Sequence, residues 1–234
     1  MFTGIVQGIS TIRSISDAEG LRTFILDLPP NFTDGLAVGA SVSVDGVCLT
    51  VTQVLSSSSA KFDVILQSLS VTTLSTLVVG DMVNTERAAK DGAEIGGHPL
   101  SGHIDFSAQI ESIKASVNNR VLRVQVPPPF MRYIFPKGYI AINGASLTVS
   151  ATDRVAGWFE VWLIPETRRM TTFEQKNVGD WLNVEIERGT QVVVDTVRAS
   201  VEETLGNLRP ALEAFLTQRG VVLEDLIAPT TLPR

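Results

Sequence analysis

An eleven-residue hairpin pattern occurs twice in this chain, and this repetition constrains the fold more than any other feature. The first copy reads SVSVDGVCLTV over residues 41–51, and the second reads YIAINGASLTV over residues 139–149, 98 positions later. In each copy two alternating strands flank Asp-Gly or Asn-Gly, a dipeptide that suits a tight turn with positive φ. Cys48 corresponds to Ser146, and Thr50 corresponds to Thr148. The sequence therefore predicts one structural unit built twice, with one reactive atom changed.

The duplication extends beyond the hairpin. Residues 4–6 (GIV) correspond to residues 102–104 (GHI) at the same offset, and residues 79–86 (VGDMVNTE) correspond to residues 178–185 (VGDWLNVE) at an offset of 99. A period near 100 residues is the size of a domain and is too long for a solenoid repeat. We expect two similar domains, residues 1–97 and 98–190, followed by a tail of different character, residues 191–234.

Each copy is mostly short β-segments separated by Gly, Pro, Asn and Ser clusters, which predicts a small antiparallel barrel or sandwich. A closed barrel is favoured because it leaves no strand edge unpaired. One short helix is expected in each copy, near residues 70–77 and 168–176. The strands predicted in the first copy are residues 22–28, 41–44, 47–54, 61–66 and 82–87.

The tail carries the apolar periodicity of a helix. Pro210 is predicted to end or kink this helix, with a second helix over residues 211–219 and a loosely ordered end over residues 221–234. The apolar face could pack on the chain's own barrel or form a bundle with copies of itself, and the spacing fits both. The residues of this face are Val194, Val197, Val201, Leu205 and Leu208.

Composition excludes some classes of function. The net charge of −6 gives no support for binding nucleic acid or an anionic membrane surface, and no apolar run approaches the length of a membrane span. The N-terminus enters a strand-like pattern at once, without a signal-peptide core. A single cysteine cannot form a disulfide within the chain, so we expect a reducing, cytoplasmic setting.

The polar face of the first hairpin is a candidate small-molecule site. Strand alternation directs Val47, Leu49 and Val51 to one side and places Cys48 with threonines on the other. A lone cysteine on a strand is more often a small buried residue than a reactive group. Hydroxyl neighbours nevertheless suit a pocket for a neutral polyol or heterocycle.

Both histidines lie in one glycine-rich run between the two copies, GGHPLSGH over residues 96–103. A separation of five places His98 and His103 on opposite faces of an extended strand, and no cysteine or carboxylate cluster completes a set of metal ligands. A metal site is therefore disfavoured. Glycines let the backbone approach a partner closely, so this run could serve a site between the domains.

Three further polar positions have a structural and a functional interpretation. Lys137, where the first copy has Val38 or Gly39, could be a solvated surface residue or a cation for a bound ligand. Gln67 and Glu166 occupy equivalent places, and they could bind the edge of a heterocycle or only begin a short helix.

Taken together, the motifs closely resemble riboflavin synthases. The resemblance covers about residues 1–205, and it is carried by the opening MFTGIVQG, the two G-x-(C/S)-L-T-V hairpins, the run GGHPLSGHID and the segment IPET. It implies two six-stranded Greek-key barrels and a C-terminal helix that holds a homotrimer together. It also implies dismutation of two molecules of 6,7-dimethyl-8-ribityllumazine, with no cofactor or metal, where the N-terminal barrel of one subunit faces the C-terminal barrel of its neighbour.

The resemblance also implies the site residues. Cys48 and His103 are the leading candidates for the nucleophilic and proton-transfer roles. The residues expected to support them are Ser146, Thr148, Ser41 and Phe2. The implied substrate contacts are Gly4, Ile5, Val6, Cys48, Leu49, Thr50, Asp63, Val64, Ile65, Leu66, Gln67, Ser68, Gly102, His103, Ile104, Lys137, Ser146, Leu147, Thr148, Trp162, Leu163, Ile164, Pro165, Glu166 and Thr167.

Two alternatives compete with the enzyme. One is a non-catalytic carrier of lumazine or flavin, like the antenna proteins that share this fold. The other is the flavin barrel of a reductase, which would need a nucleotide-binding domain where this chain has a second barrel. The chain departs from the family pattern at Gln67-Ser68, at Thr72-Thr73, where the family has Thr-Asn, and at Glu187, where aspartate is common.

Overall fold

A closed six-stranded antiparallel barrel forms the first half of the chain in the computed structural model, which describes residues 1–115 and 119–219. The strands follow one another around this N-terminal barrel in the order β1-β2-β5-β4-β3-β6. Their bounds are β1 Gly8–Ala18, β2 Leu21–Asp27, β3 Ser41–Val44, β4 Val47–Ser56, β5 Ser59–Ile65 and β6 Met82–Arg87.

A second closed antiparallel barrel follows, with the order β10-β11-β8-β7-β12-β9. Its strands are β7 Phe106–Ala115, β8 Arg120–Gln125, β9 Tyr139–Ile142, β10 Ala145–Asp153, β11 Trp158–Leu163 and β12 Trp181–Ile186. Both repeated hairpins form as predicted, β3–β4 and β9–β10. Asp45, Gly46, Asn143 and Gly144 all have positive φ in their two-residue turns, as the type I′ geometry of such hairpins requires.

Both barrels are filled by side chains. In the N-terminal barrel the inward positions of the hairpin, including Val42, Val47 and Val51, join a continuous apolar core with Phe24 and Phe62. The alternate positions point to the outer side of the barrel, where Thr50 is exposed, Cys48 is half-buried and Ser43 is buried. The pocket lined by hydroxyl groups that the sequence suggested therefore cannot lie inside the barrel, because apolar side chains fill the interior. Any ligand site must lie on the outer side of the strands.

The predicted strands are confirmed with small shifts at their ends, and β3 and β6 have the predicted bounds. The predicted short helices begin too late in the sequence. The structure has α1 at Leu66–Val71 and α2 at Pro165–Met170, each followed by a 3₁₀ turn, Thr73–Ser75 and Thr172–Gln175. Each helix starts at the end of a strand without a side-chain cap, so α1 has no start signal in the sequence, whereas α2 begins with Pro165 and Glu166, which are typical of a helix start.

The tail forms one helix, α3, over Arg188–Thr217. The predictions that Pro210 ends this helix and that a second helix follows were wrong, because Pro210 lies inside the continuous helix, whereas the predicted kink stays a prediction. Proline removes one backbone donor, and a helix of 30 residues retains the rest of its ladder. Residues 221–234, predicted to be loosely ordered, lie outside the described residues. No helix in the described part of the chain is long and apolar enough to cross a membrane.

The two barrels are joined by a polar network with approximate two-fold symmetry. The Nδ2 atom of Asn84 donates to the carbonyl oxygen of Asn143 (3.0 Å), and Nδ2 of Asn183 donates to that of Asp45 (2.9 Å). The Oδ1 atom of Asn84 accepts from the backbone N–H of Thr172 (2.8 Å), and the equivalent bond of Asn183 has the same length. These buried bonds fix the relative position of the two hairpins.

Candidate active site

Each hairpin is bordered by a backbone segment that comes from the other copy. The N–H of Cys48 donates to the carbonyl oxygen of Gly102 (2.8 Å), and the N–H of Ser146 donates to that of Gly4 (2.8 Å). The two segments also pair with each other, since Phe2 and Leu100 form an antiparallel bridge. The N-terminus therefore completes the surroundings of Ser146, and the run between the barrels completes those of Cys48.

Glycine is required where these segments cross the hairpins. A Cβ atom on Gly102 would lie 2.6 Å from the Cβ atom of Cys48, and one on Gly4 would lie 2.5 Å from that of Ser146. Both glycines also have positive φ, near 79° and 75°. The crossings therefore bring the reactive positions into direct contact with backbone, and no larger residue fits.

Two buried carboxylates hold the crossing segments in place. Glu86 accepts from the N–H and Oγ1 of Thr3 at 2.6 and 2.7 Å and from the N–H of Gly4, and Glu185 makes the same three bonds with Ser101 and Gly102. Burial raises the pKa of both carboxyl groups, and the donated hydrogen bonds oppose this shift. These two glutamates serve the geometry of the site without touching its outer face.

Cys48 is half-buried at the edge of a small apolar cluster made by Phe2, Leu100 and Ala141, with Ala88 packed beside it. The thiol is thus neither part of the barrel core nor freely exposed. The predicted supporting role of Phe2 has a structural basis here, because its ring is fully buried in this cluster and approaches Gly102.

Ser146 has a partner that Cys48 lacks. The Nδ1 atom of His98 lies 2.6 Å from the Oγ of Ser146, and the imidazole stacks on Tyr139 with ring centroids 5.0 Å apart. Burial lowers the pKa of His98, partly offset by the charge of Glu187, so the ring is neutral near pH 7. A neutral imidazole beside a hydroxyl can accept its proton.

The structure thus distinguishes the two histidines in a way that the sequence did not. His103 was expected to be the catalytic histidine, yet its side chain is exposed and its N–H bonds to the Oγ of Ser101 (3.2 Å). His98, which sequence analysis placed only near a site, contacts Ser146 directly.

The outer strand surfaces place most of the other implied contacts together. Thr50 pairs with Ser41 across β3–β4, and Thr148 pairs with Tyr139 across β9–β10. Ile65, Leu66, Trp162 and Ile164 are more than half exposed beside these hairpins, and so are accessible to a ligand. Four implied contacts have side chains turned into the barrel cores, so that only their backbone borders the surface: Leu49, Val64, Leu147 and Leu163.

Lys137 and Glu166 each had a structural and a functional interpretation, and their surroundings in the structure differ. Lys137 occupies the position that Gly39 has in the first copy, and its backbone is left-handed (φ 68°). The N–H of Lys137 donates to the carbonyl oxygen of Val149, and the N–H of Gly39 donates to the carbonyl oxygen of Val51, the equivalent residue of the first copy. A lysine held in a conformation that favours glycine is consistent with a functional role for its side chain. Glu166 forms an exposed ion pair with Arg169 (2.6 Å) in the first turn of α2.

A concave surface of about 700 Å³ borders the N-terminal segment and lies beside Thr3, Ile5, Glu86 and Lys90. None of the hairpin residues lines it. The candidate site at the two hairpins therefore lies outside this concave surface. Two equivalent polar faces, one with a thiol and one with an imidazole-linked hydroxyl, can hold two similar ligands in unequal surroundings.

Comparisons with known proteins agree with this architecture. A family model described as "Lumazine binding domain" matches residues 3–88 and again residues 101–187. The riboflavin synthase of Escherichia coli is 46% identical over 198 residues, covering 84% of this chain and 92% of that protein. The riboflavin synthase of Chlamydia pneumoniae is 41% identical over 199 residues, covering 85% and 96%.

Solved structures of LumP are also similar. LumP complexed with riboflavin superimposes with a TM-score of 0.74 at 25% identity, covering 80% of this chain and all of that one. LumP complexed with 6,7-dimethyl-8-(1'-D-ribityl) lumazine gives a TM-score of 0.72 at 24% identity, with the same coverage. The second likeness concerns the fold alone.

Proposed function

The chain belongs to the riboflavin synthase family, and we propose that it is a transferase that dismutates 6,7-dimethyl-8-ribityllumazine. One molecule gives a four-carbon unit to a second, so the products are riboflavin and 5-amino-6-ribitylamino-2,4-pyrimidinedione. The observation that carries this proposal is the pair of equivalent outer faces with unequal reactive groups, Cys48 and Ser146. Two identical substrates that play opposite roles need two similar but unequal binding faces.

The proposed mechanism assigns positioning to the barrels and proton transfer to the hairpin residues. Holding two rings in a fixed geometry replaces a bimolecular encounter, which accounts for much of the rate gain of such reactions. The reaction also needs a proton removed from a ring methyl group and a nucleophile added to the other ring. We assign the thiol of Cys48 to the N-terminal face and the Ser146–His98 pair to the C-terminal face, with Thr148, Ser41 and His103 beside them.

Incubation of the purified chain with 6,7-dimethyl-8-ribityllumazine tests this proposal. We expect riboflavin absorbance to appear, with one riboflavin formed for every two lumazines consumed. The competing function is a carrier that binds lumazine or flavin without turnover, which the likeness to LumP favours. Tight binding with no riboflavin formed would establish the carrier and refute the enzyme. The enzyme is favoured because the two riboflavin synthases compared above are 46% and 41% identical to this chain, against 25% for LumP.

We also propose that three chains assemble through α3. Its apolar residues recur along one stripe at helical spacing, and several of them are exposed in the single chain. A helix with an exposed apolar stripe is stabilised by packing against copies of itself. The exposed members of the stripe are Val197, Val201, Leu205, Leu208 and Phe215.

Sedimentation equilibrium tests the trimer, which would bring the N-terminal face of one subunit opposite the C-terminal face of the next. Leu205→Glu should convert the trimer to monomers, while Glu203→Gln, a polar change off the stripe, should leave it intact. A parent chain that sediments as a monomer would refute the assembly. We further propose domains at 1–97, 98–190 and 191–234, and a cytoplasmic setting in which Cys48 stays reduced.

A further inference from the structure

A cavity of about 350 Å³ lies between the two barrels, bordered by both 3₁₀ turns and by the first residues of β6 and β12. A cavity of this volume can hold a small ligand. None of the implied substrate contacts lines it, so the proposed reaction does not account for it. Corresponding residues of the two copies, 99 positions apart, face each other in its lining: Thr73 and Thr172, Asp81 and Asp180, Met82 and Trp181.

The two aspartates give this junction cavity a pair of equivalent negative charges. Asp81 accepts from the backbone N–H of Val78, and Asp180 accepts from that of Asn177, both at 2.8 Å. Each bond fixes its carboxylate at the edge of the cavity. Within the described residues neither carboxylate forms an ion pair. The cavity therefore favours a cationic ligand with a charge for each copy.

Two buried hydroxyl groups lie in the same lining without hydrogen-bond partners. Thr73 is 9% exposed and Thr172 is 2% exposed, and neither Oγ1 atom has a partner in the part of the chain that the structure describes. A buried hydroxyl that lacks a partner costs free energy, which a ligand that donates hydrogen bonds can recover. An ammonium group donates three hydrogen bonds and carries a positive charge, so it suits a carboxylate and a hydroxyl together.

The apolar part of the lining favours an organic cation over a metal ion. Met82 is 39% exposed and Trp181 is 50% exposed, at equivalent positions of the two copies. An indole ring attracts an ammonium group and packs against methylene groups. The described residues contain no group of three or more His, Cys, Asp or Glu side chains that could hold a metal ion.

We propose that the junction cavity binds a small organic dication, two ammonium groups joined by a short methylene chain, with one end at Asp81 and the other at Asp180. The hydroxyls of Thr73 and Thr172 accept further hydrogen bonds, and the methylene chain lies against Trp181. Each end is held by a different copy, so the ligand stabilises the junction between the barrels. This inference does not rest on the proposed function.

Two charged residues break the symmetry of the cavity. Lys176 lines it where the first copy has Leu77, and Asp45 corresponds to the amide Asn143. Lys176 repels a bound cation, so Lys176→Leu should tighten binding by about threefold. Burial raises the pKa of Asp45 to about 7, with Lys176 and Asp81 as the charged groups that act on it.

The affinity for the dication should therefore rise between pH 6 and pH 8. The increase should reach up to about ninefold, because the ionised fraction of Asp45 rises from about one tenth to about nine tenths. An alkylammonium group stays charged over this range. Asp45→Asn should remove this dependence, and an affinity that falls as the pH rises would contradict a cationic ligand.

Calorimetric titration of the full chain with 1,4-diaminobutane tests the site. We expect one saturable site per chain, with butylamine bound at least about tenfold more weakly because it has one ammonium group. Asp81→Asn and Asp180→Asn should each weaken diamine binding by about tenfold. Asparagine keeps the oxygen that accepts from the turn N–H, so both variants should fold.

Asp91→Asn is the matched control, because it removes an exposed carboxylate outside the cavity. Its titration should equal that of the parent. The absence of saturable binding would refute the inference, and so would equal weakening in Asp91→Asn and Asp81→Asn. Displacement of the diamine by an equal concentration of magnesium chloride would assign the cavity to a metal ion and also refute it. Riboflavin formation is not measured here, so failure of the proposed enzyme leaves this inference standing.

Discussion

Asp45 sets the pH dependence of the junction between the barrels. Its carboxyl group is buried at the tip of the first hairpin, where Oδ1 accepts from the N–H of Asn84 (2.7 Å). The equivalent residue in the second hairpin is Asn143, which makes the same bond with Asn183 (2.7 Å). The network is therefore symmetric except that one member can ionise. A cavity of about 350 Å³ between the barrels borders Asp45 and also Lys176, Asp81 and Asp180.

Burial raises the pKa of Asp45 from 3.8 to about 7, opposed by the hydrogen bond from Asn84 and by the charge of Lys176 and reinforced by that of Asp81. The folded chain therefore holds one proton more than the unfolded chain between pH 3.8 and about 7. Stability from this group is fully present below pH 3.8 and is lost as the pH rises through about 7. This change of stability with pH is opposite in sign to that caused by a salt-bridged aspartate, whose contribution is lost as the pH falls.

Asp45→Asn should remove this dependence. Because one pKa unit corresponds to about 1.4 kcal/mol, raising the pH from about 5 to about 8 should cost the parent roughly 2.5 kcal/mol at this group and cost the variant nothing there. The measurement is the free energy of unfolding from urea titration at both pH values. The difference between variant and parent should shift by roughly 2.5 kcal/mol toward the variant, and taking this difference cancels all other titrating groups.

Asn143→Asp is the matched control, since it places a second carboxyl group at the equivalent buried position. We expect it to make the loss of stability at high pH steeper than in the parent. If Asp45→Asn and the parent lose stability in parallel between about pH 5 and about pH 8, the buried carboxyl does not govern the junction and the reasoning fails.

Three further outcomes are expected. Cys48→Ser should lower turnover with little change in the free energy of unfolding, because the change is nearly isosteric, and Ser146→Cys should affect turnover less; equal turnover of Cys48→Ser and the parent would remove the thiol from the mechanism. Gly102→Ala should lower the free energy of unfolding, measured by urea titration, by more than about 3 kcal/mol. The control Gly20→Ala should lower it by about 1 kcal/mol, because Gly20 also has positive φ but no atom within 4 Å of an added Cβ. Similar losses in the two variants would show that the crossing at Gly102 tolerates a methyl group. His98→Asn should lower kcat more than it raises KM and should change the acid limb of the pH–rate profile, and an unchanged profile would exclude proton transfer through the imidazole.

Much of the fold follows from local patterns. The alternation of residues 41–51 predicts which side chains face the core, and the offset of 98 predicts a second barrel of the same design. The turn at Asp45-Gly46 is also predictable locally, because the positive φ that a two-residue hairpin turn requires depends on the turn residues themselves. The helix starts failed as predictions, since α1 and α2 begin directly at strand ends without capping residues.

The candidate site was predictable in composition but not in arrangement. Sequence alternation puts Cys48 on a polar face, yet nothing local indicates that Gly102 covers it from the other copy. The contact between His98 and Ser146 is hidden from local patterns for the same reason, because it spans 48 residues, and the catalytic role expected for His103 stays a prediction. The stacking of His98 on Tyr139 was not predictable from the repeat either, because the equivalent residue in the first copy, Ser41, is small and polar.

The exchange of segments Phe2–Val6 and Leu100–Ile104 links the two halves of the chain. Each half carries a crossing segment that covers the hairpin of the other half, so a chain with one copy alone would leave the backbone N–H at its own hairpin without this partner. The two halves therefore depend on each other for structure. Because both lie in one chain, a substitution in one half leaves the other unchanged, and two surfaces of the same design can differ in their side chains.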